Sequence, residues 1–443
     1  MKGNAGQPPD LGVGLVWWPT LDDLCHQDEG LVDVIEAEPE TFWVPKSGGR
    51  GFRSFLSQAL SHLPQPKLLH CVGAPVGGTC PPPEGHLPAL AADIGELRPE
   101  YVSEHLSVTR FRPTPDSSPA SAGFMLPPLQ SQAGVSLAAA NIRRRRAALG
   151  GIPLAVETPV NYLPPAPGEW PDGVFVAAVA ESADCAILLD LHNVLCNARN
   201  GRQSVTAFCD ALPLERVWEL HLAGGESEAG LFLDAHAGLV EPELMEIAAD
   251  LVPRLPNLRA INFEIMPERV AEVGLAAIAA QLGRMKDLWS LRTANPERQG
   301  SSRRSYPSIE PPLSDPAAWE TLVGCAVTGL AQPAINDATA AWWRACTPAI
   351  EIYRMLVGEG RASAAIAAAP HTTRELLRQY GGARTRDILA DHWRRSPPGY
   401  TSADEVRRLL KFLSEAEPSL PGLADAIASD LADLDKLSAL SLA

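Results

Sequence analysis

Between positions 12 and 267 the chain alternates short apolar runs with stretches of helical spacing. Eight runs stand out, at 13–18, 32–42, 67–76, 101–107, 153–160, 186–193, 216–224 and 260–266. Most are rich in Val, Ile and Leu and too short for helices, which marks them as buried strands. Between them apolar residues recur three and four apart, at 54–63, 137–149, 173–182 and 241–252. Strands alternating with helices imply parallel pairing with right-handed crossovers. Eight such units predict an α/β fold, a closed (β/α)8 TIM barrel. An open doubly wound sheet is the rival, but no glycine-rich phosphate loop follows the first run.

The pattern changes after the eighth run. Positions 274–291 carry helical spacing and suit a closing helix, so the barrel is expected to occupy 1–292. Positions 293–315 are polar and rich in Pro, Ser and Arg, which predicts a linker. Beyond them the chain is rich in Ala and Leu, with helical periodicity at 317–329, 338–357, 362–380, 383–393, 403–413 and 423–437. A smaller, mainly helical domain at 316–443 is predicted.

Composition narrows the partners. The formal net charge is −16. Nucleic-acid binding needs a basic face, so no nucleic acid is expected as partner. The run Arg143–Arg146 is basic, and its helical setting predicts a solvated face. Eight Cys occur without a CxxC pair, so no thiolate zinc site is signalled. No signal peptide is visible, and no apolar run reaches the roughly 18 residues of a membrane span. A cytoplasmic protein with no membrane partner and reduced, mostly buried Cys is expected.

The candidate chemistry lies where the strands end, the face on which such barrels carry their sites. Run two ends Glu36-Ala37-Glu38-Pro39-Glu40, and His70 closes the core of run three. Run four reads Ser103-Glu104-His105-Leu106-Ser107, and run five reaches Glu157. Run six ends Asp190-Leu191-His192-Asn193, run seven carries Glu219 and His221, the next loop Asp234 and His236, and run eight Glu264. A lone His or Glu at a strand end is usually a hydrogen-bonded or solvated residue. Here five of the ten His fall at these positions. Converging carboxylates repel unless cations neutralise them. Imidazole and carboxylate without thiolate suit iron, manganese or zinc.

These motifs, in this order, resemble the multinuclear non-heme iron-dependent oxidases, a barrel family that modifies ribosomally made peptides. The resemblance covers about residues 12–270, on Ser103-Glu104-His105-Leu106-Ser107, the Glu157 turn, Leu189-Asp190-x-x-Asn193-Val194, His221-Leu222-Ala223-Gly224 and Asp234-x-His236. Most of the family carries His-Pro-Glu-Asn on strand two, where this chain has Glu38-Pro39-Glu40-Thr41. With His70-x-Val72-Gly73-x-Pro75-Val76-Gly77-Gly78 this is more similar to the MbnB-like, methanobactin-biosynthesis branch. Tyr353-Arg354, Pro370-x-Thr372, Asp391–Pro398 and Phe412-Leu413 resemble the MbnC-like partner that is usually a separate chain, which would make this a fusion. An unrelated helical tail is the other reading of that region.

The resemblance implies two or three iron ions in mixed ferrous and ferric states, with O2 as co-substrate. His70, His105 and Glu157 would hold one iron, and Glu157 would bridge to a second held by Asp190, His221 and Glu264. Asn193, Asp234 and His236 would hold a third. Glu157 and Asp190 would also serve catalysis. His192, which on a strand shares a face with Asp190, would be a ligand, a hydrogen-bonding neighbour or a base. The substrate implied is a cysteine-bearing precursor peptide, converted in the methanobactin branch to an oxazolone with an adjacent thioamide, while other branches cut out the cysteine Cβ or build different heterocycles. Tyr353, Arg354, Trp393 and Arg394 would dock it, unless the aromatic residues fill a small helical core. The rival enzyme is a divalent-metal isomerase, hydrolase or endonuclease of the xylose-isomerase type, and fold alone does not separate the two. A peptide-binding scaffold with a degenerate barrel is the non-enzymatic reading.

Overall fold

The computed structural model describes residues 8–27, 30–46, 51–292, 306–307, 312–335, 337–417 and 420–439. Eight parallel strands close into a barrel: β1 (Gly12–Val16), β2 (Val34–Ala37), β3 (Lys67–Cys71), β4 (Val102–His105), β5 (Leu154–Glu157), β6 (Ala186–Asp190), β7 (Val217–Ala223) and β8 (Ala260–Glu264). Each strand pairs with its sequence neighbours, and β8 pairs with β1 to close the ring. All eight predicted runs are strands of this barrel. The expected (β/α)8 architecture with a helical C-terminal region is therefore the fold observed.

Alternation along each strand sorts its side chains between two environments. One set packs outward against the surrounding helices in a large apolar layer that includes Val13, Leu69, Ile187, Leu220 and Phe263. The other set points into the barrel. At its N-terminal end this interior is apolar, with Leu11, Val34, Leu68, Tyr101, Ala155, Leu188 and Ala260 forming a separate cluster. Two residues further along, the same faces carry Glu36, His70, Ser103, Glu157, Asp190 and Asn262, all buried. Gly14 makes room for this polar filling, because a Cβ there would strike the Val34 carbonyl and the Asn262 side chain. Burying apolar side chains instead would contribute about 1.5–3 kcal/mol each. The polar layers are thus held at a cost to stability.

Several boundaries differ from the periodic reading. β2 stops at Ala37 because Pro39 opens a 3-10 turn, Pro39–Phe42. β6 stops at Asp190, whose carboxylate caps the helix Leu191–Arg199 by accepting from the Asn193 N–H at 2.9 Å. Arg145 is also not on a solvated face. It is 5 % exposed and pairs with Glu104 and the Ala74 carbonyl. Three two-stranded hairpins escape the periodicity: Trp43–Pro45 with Phe52–Ser54, Val108–Phe111 with Ala120–Leu126, and Glu226–Glu228 with Leu231–Leu233.

The expected linker at 293–315 lies mostly outside the described residues. Beyond it run the helices Pro316–Thr328, Asp337–Ala345, Thr347–Ala368, Pro370–Arg395, Ser402–Ala416 and Leu423–Ala439. The predicted helix at 338–357 is in fact two, divided before Pro348, which stands in the first turn of the second. The break expected near 381–382 is a left-handed Gly381 inside Pro370–Arg395. The first of these helices pack on the 108–126 hairpin and on the loops after β5 and β7, through Phe111, Tyr162, Leu233, Trp319 and Tyr353. The last three form their own core with Leu376, Ile388, Leu409 and Leu413. All eight Cys are free and seven are buried. Among the described residues no helix is long and apolar enough to cross a membrane.

Candidate metal centre

The barrel's register brings the strand-end residues together. His105 of β4 stands directly beside Glu157 of β5, and Asp190 of β6 directly beside His221 of β7. His105 Nε2 lies 2.8 Å from Glu157 Oε2, and His70 Nε2 lies 3.3 Å from the same oxygen. On the other side His221 Nδ1 is 3.1 Å from Glu264 Oε1. His236 Nε2 is 2.8 Å from Asp234 Oδ1 and 3.4 Å from Glu264 Oε2. His70, His105 and Glu157 each place a ligand atom within 4.8 Å of the others, as do His70, His221 and Glu264.

Three of these imidazoles have their tautomer set from behind. His105 Nδ1 lies 3.0 Å from the Cys71 carbonyl, which only accepts, so Nδ1 carries the hydrogen. His70 Nδ1 lies 2.8 Å from the Ser103 hydroxyl, whose own hydrogen points toward Glu36 or the Leu69 carbonyl. His221 Nε2 donates to Glu36 at 2.7 Å. In the neutral ring the opposite nitrogen of each is a lone pair, and each lone pair faces a carboxylate oxygen. Lone pair against carboxylate is repulsive unless a cation lies between. The contacts lack hydrogen-bond alignment. Glu157 Oε2, Asp190 Oδ2, Asn193 Oδ1, His221 Nδ1, Asp234 Oδ1, His236 Nε2 and Glu264 Oε2 are all buried without a hydrogen-bond partner. Buried polar atoms are normally paired, so seven orphans in one place mark a binding site for something absent from the chain.

The charge balance agrees. Among the described residues, seven carboxylates, Glu36, Glu38, Glu157, Asp190, Glu219, Asp234 and Glu264, face five imidazoles, His70, His105, His192, His221 and His236. Burial and the like charges of Glu264, Asp234 and Glu157 push Asp190 well above the usual carboxylate range. Burial lifts Glu38 to about 7. Burial works to raise Glu157 and Glu264 as well, but the facing imidazoles win. Glu157 is held well below its usual range by His105 and His70, and Glu264 at about 2 by His221 and His236. Burial opposes charge on His70, but Glu157 outweighs it and lifts that imidazole to about 10. A cation in the cluster would do the work these extra protons do here.

The loop after β7 completes the wall. Its hairpin turns at Ala229 and Gly230, both with positive φ, as a tight two-residue turn requires. It delivers Asp234, then His236, which holds a left-handed φ of 45°. That conformation is strained for a histidine and is clamped by the Met266 N–H on the His236 carbonyl at 3.0 Å. The Asp234 N–H donates to the Tyr162 hydroxyl at 3.0 Å, and the Tyr162 N–H to the Tyr353 hydroxyl at 3.3 Å. The C-terminal helices therefore brace this loop.

Eight of the nine expected ligands line one cavity of about 1260 Å³, and His221 lies fully buried behind them. His192 does not line it. The residue is in the helix after β6 rather than on the strand, so it does not share a strand face with Asp190. It sits behind the wall, 3.7 Å from Asp234 Oδ1 and 3.5 Å from Cys196 Sγ. Of the expected docking residues, Tyr353 is fully buried against Tyr162 and is a packing residue. Arg354 donates to the Ala326 carbonyl, Trp393 lies under Arg361, and Arg394 pairs with Asp391. None of the four lines the cavity.

What the sequence did not assign is the role of the residues behind the candidate ligands. Glu36, Glu219 and Asn262 form a fully buried network, with Asn262 Nδ2 3.1 Å from Glu36 and 2.5 Å from Glu219. An acid inside a buried run, two positions before a candidate ligand, was the available signal. Glu38, which stands where most of the family has His, faces His70, Glu264 and His105. Glu40 holds the Val72 and Gly73 N–H groups and pairs with His86 at 2.9 Å, fixing the loop after His70.

A family model described as "RiPP precursor modification enzyme MbnB/TglH/ChrH" matches residues 10–271. A UPF0276 protein of Pseudomonas aeruginosa is 31% identical over 274 residues, covering 60% of this chain and 88% of its own. One from Chromobacterium violaceum is 28% identical over 257 residues, covering 57% and 91%. A relative from Streptomyces avermitilis is 30% identical over 262 residues, and the match spans about half of its length, 52%. Among solved structures, a D-allulose 3-epimerase from Methylomonas sp. aligns with a TM-score of 0.39 at 12% identity, covering 65% of this chain and 99% of that one.

Proposed function

The chain belongs to the MbnB/TglH/ChrH family of RiPP precursor modification enzymes, and from that premise we propose that it oxidises cysteine residues of a ribosomally made precursor peptide, using iron and O2. The product proposed is an oxazolone with an adjacent thioamide, as in methanobactin biosynthesis. The seven buried, unpartnered oxygen and nitrogen atoms at the barrel mouth carry this reading. Their donor types, imidazole, carboxylate and amide oxygen without thiolate, suit iron. His70, His105, Glu157, Asp190, Asn193, His221, Asp234, His236 and Glu264 would hold the ions, with Glu38 an added candidate. Bound there, iron would lower the pKa of a coordinated thiol and supply the redox chemistry, with O2 as oxidant.

The chain's own residues do the rest. Ser103, the Cys71 carbonyl and Glu36 orient the three imidazoles. Glu157 and Asp190 sit at the centre of the cluster, and His192, behind Asp234, is a positioning residue. The cavity exceeds the roughly 300–1,000 Å³ of most small-molecule sites, which suits a peptide segment. Met355, Leu356, Glu359 and Tyr400 close its outer side. We assign 1–292 to the oxidase barrel and 316–443 to an MbnC-like partner region that keeps the peptide in place and water out, with the linker between.

The test is metal content of anaerobically purified protein, read with Mössbauer or EPR spectroscopy, beside O2 uptake with a cysteine-bearing precursor peptide. Two or more irons per chain and peptide-dependent O2 uptake are expected. Zinc or magnesium with turnover independent of O2 would replace this reading with the isomerase or hydrolase.

A further inference from the structure

A second set of donor atoms converges on the outside of the barrel. Asp22 opens the helix Asp22–Gln27, just after β1, and His26 follows one turn later on the same face. His62 arrives from the turn after the short helix Leu56–Ala59. Its Nε2 lies 2.8 Å and 2.9 Å from the two carboxylate oxygens of Asp22. The His26 and His62 rings stack, with centroids 5.5 Å apart and planes 13° from parallel. One ligand atom from each of the three residues falls within 4.8 Å of the others.

Two of the three groups, His26 and Asp22, are held from behind as metal ligands usually are. His26 Nδ1 is 3.0 Å from the Asp22 carbonyl, which only accepts, so the hydrogen is on Nδ1 and Nε2 keeps its lone pair. Trp17 Nε1 donates to Asp22 Oδ1 at 3.3 Å. Trp17 is itself 3 % exposed and stacked on Phe42, so the carboxylate is tied to a fixed point of the barrel. The His62 and Asp22 side chains remain 44% and 34% exposed, which leaves an open side for water.

We propose that Asp22, His26 and His62 form a surface site for one zinc-class divalent cation, separate from the centre in the barrel. Two imidazoles and one carboxylate, with water in the fourth position, make a tetrahedral N/O set of the kind zinc prefers. Calcium and magnesium favour all-oxygen shells and fit it poorly. The cation would replace the proton that joins His62 to Asp22 and would tie the helix after β1 to the turn before β3. A metal count on this protein would then include an ion unrelated to the reaction.

The test uses the full chain carrying its barrel metal, stripped of loose ions on a chelating resin and titrated with Zn2+ against a colorimetric chelator. Wild type, His62→Ala and His26→Ala are compared. The expected result is one zinc equivalent taken up by the wild type and lost in both variants, with barrel metal unchanged. Co2+ in place of zinc should give four-coordinate d–d absorption only in the wild type. Equal uptake in the wild type and either variant overturns the site.

Discussion

Two regions of this molecule bury carboxylates, and they do it in opposite ways. Beside the barrel, Glu104 faces the guanidinium of Arg145, and Glu169 and Asp172 share Arg202 at 3.1 and 2.5 Å, all 5 % exposed or less. At the mouth, Glu157, Asp190 and Glu264 are as deeply buried but face imidazoles and one another. An arginine is always charged, so the first arrangement is closed and complete. An imidazole can give up its proton, so the second can exchange protons for metal ions. The difference separates a structural ion pair from a binding site more sharply than burial does.

The largest effect expected is at Glu157, which faces two imidazoles at once. Removing partners that merely support metal ligands costs about 10–100-fold. Glu157→Ala should cost more than about 1,000-fold in activity and at least one iron per chain, together with any magnetic coupling between ions. Retention of the full iron count in this variant would remove the bridge from the proposed site.

Removing charge should have opposite signs in the two regions. Arg202→Met leaves Glu169 and Asp172 buried without a cation, and such losses run to about 3–5 kcal/mol. Urea unfolding of the metal-free protein should show that loss. Asp190→Asn keeps the helix cap and relieves the crowding by Glu264, Asp234 and Glu157 that raises the acid. Its metal-free form should be more stable than the wild type, while its iron content falls. A metal-free Asp190→Asn protein less stable than the wild type would contradict the idea of a site strained until filled.

Glu36 sharpens the comparison at smaller scale, because it touches no cavity and acts through His221, Ser103 and Asn262. Glu36→Gln should weaken iron retention by about 10–100-fold against a competing chelator, with the fold intact by circular dichroism. Unchanged retention would make the Glu36 network a packing feature only.

How much of this was legible in the chain depended on the range of the interactions. The eight strands were visible because length and apolar content are local. The candidate ligand residues were visible because a His or acid at the end of a parallel strand reaches the mouth whatever the exact register. Asp190 and His192 were separated by one local event, the capping of a helix by Asp190 itself, which turned an expected strand end into a helix start. Arg145 looked solvated because its partner Glu104 stands 41 positions away. Tyr353 looked like a docking residue because its partner Tyr162 is 191 positions away. The 108–126 hairpin was invisible for the same reason, since the helices Pro316–Thr328 and Thr347–Ala368 cover it.

The smallest effect lies where the two halves of the chain meet. Glu320 of Pro316–Thr328 accepts from the Thr79 N–H at 2.7 Å and from its hydroxyl. Burial lifts this carboxyl to about 7, against the lowering effect of the Thr79 hydrogen bonds. A folded-state value above the usual 4.5 means the folded protein holds the proton more tightly than the unfolded chain does. Stability should therefore fall as pH rises from about 4.5 to about 7 and level off above that. Glu320→Gln keeps an acceptor for the Thr79 N–H and removes the titration. The variant should lose that slope and exceed the wild type by about 1–2 kcal/mol at pH 8, a shift within reach of thermal melts taken at several pH values. Parallel wild-type and variant profiles across that window would mean that the junction is open to water and that the C-terminal helices sit less tightly on the barrel than Thr79 and Glu320 indicate.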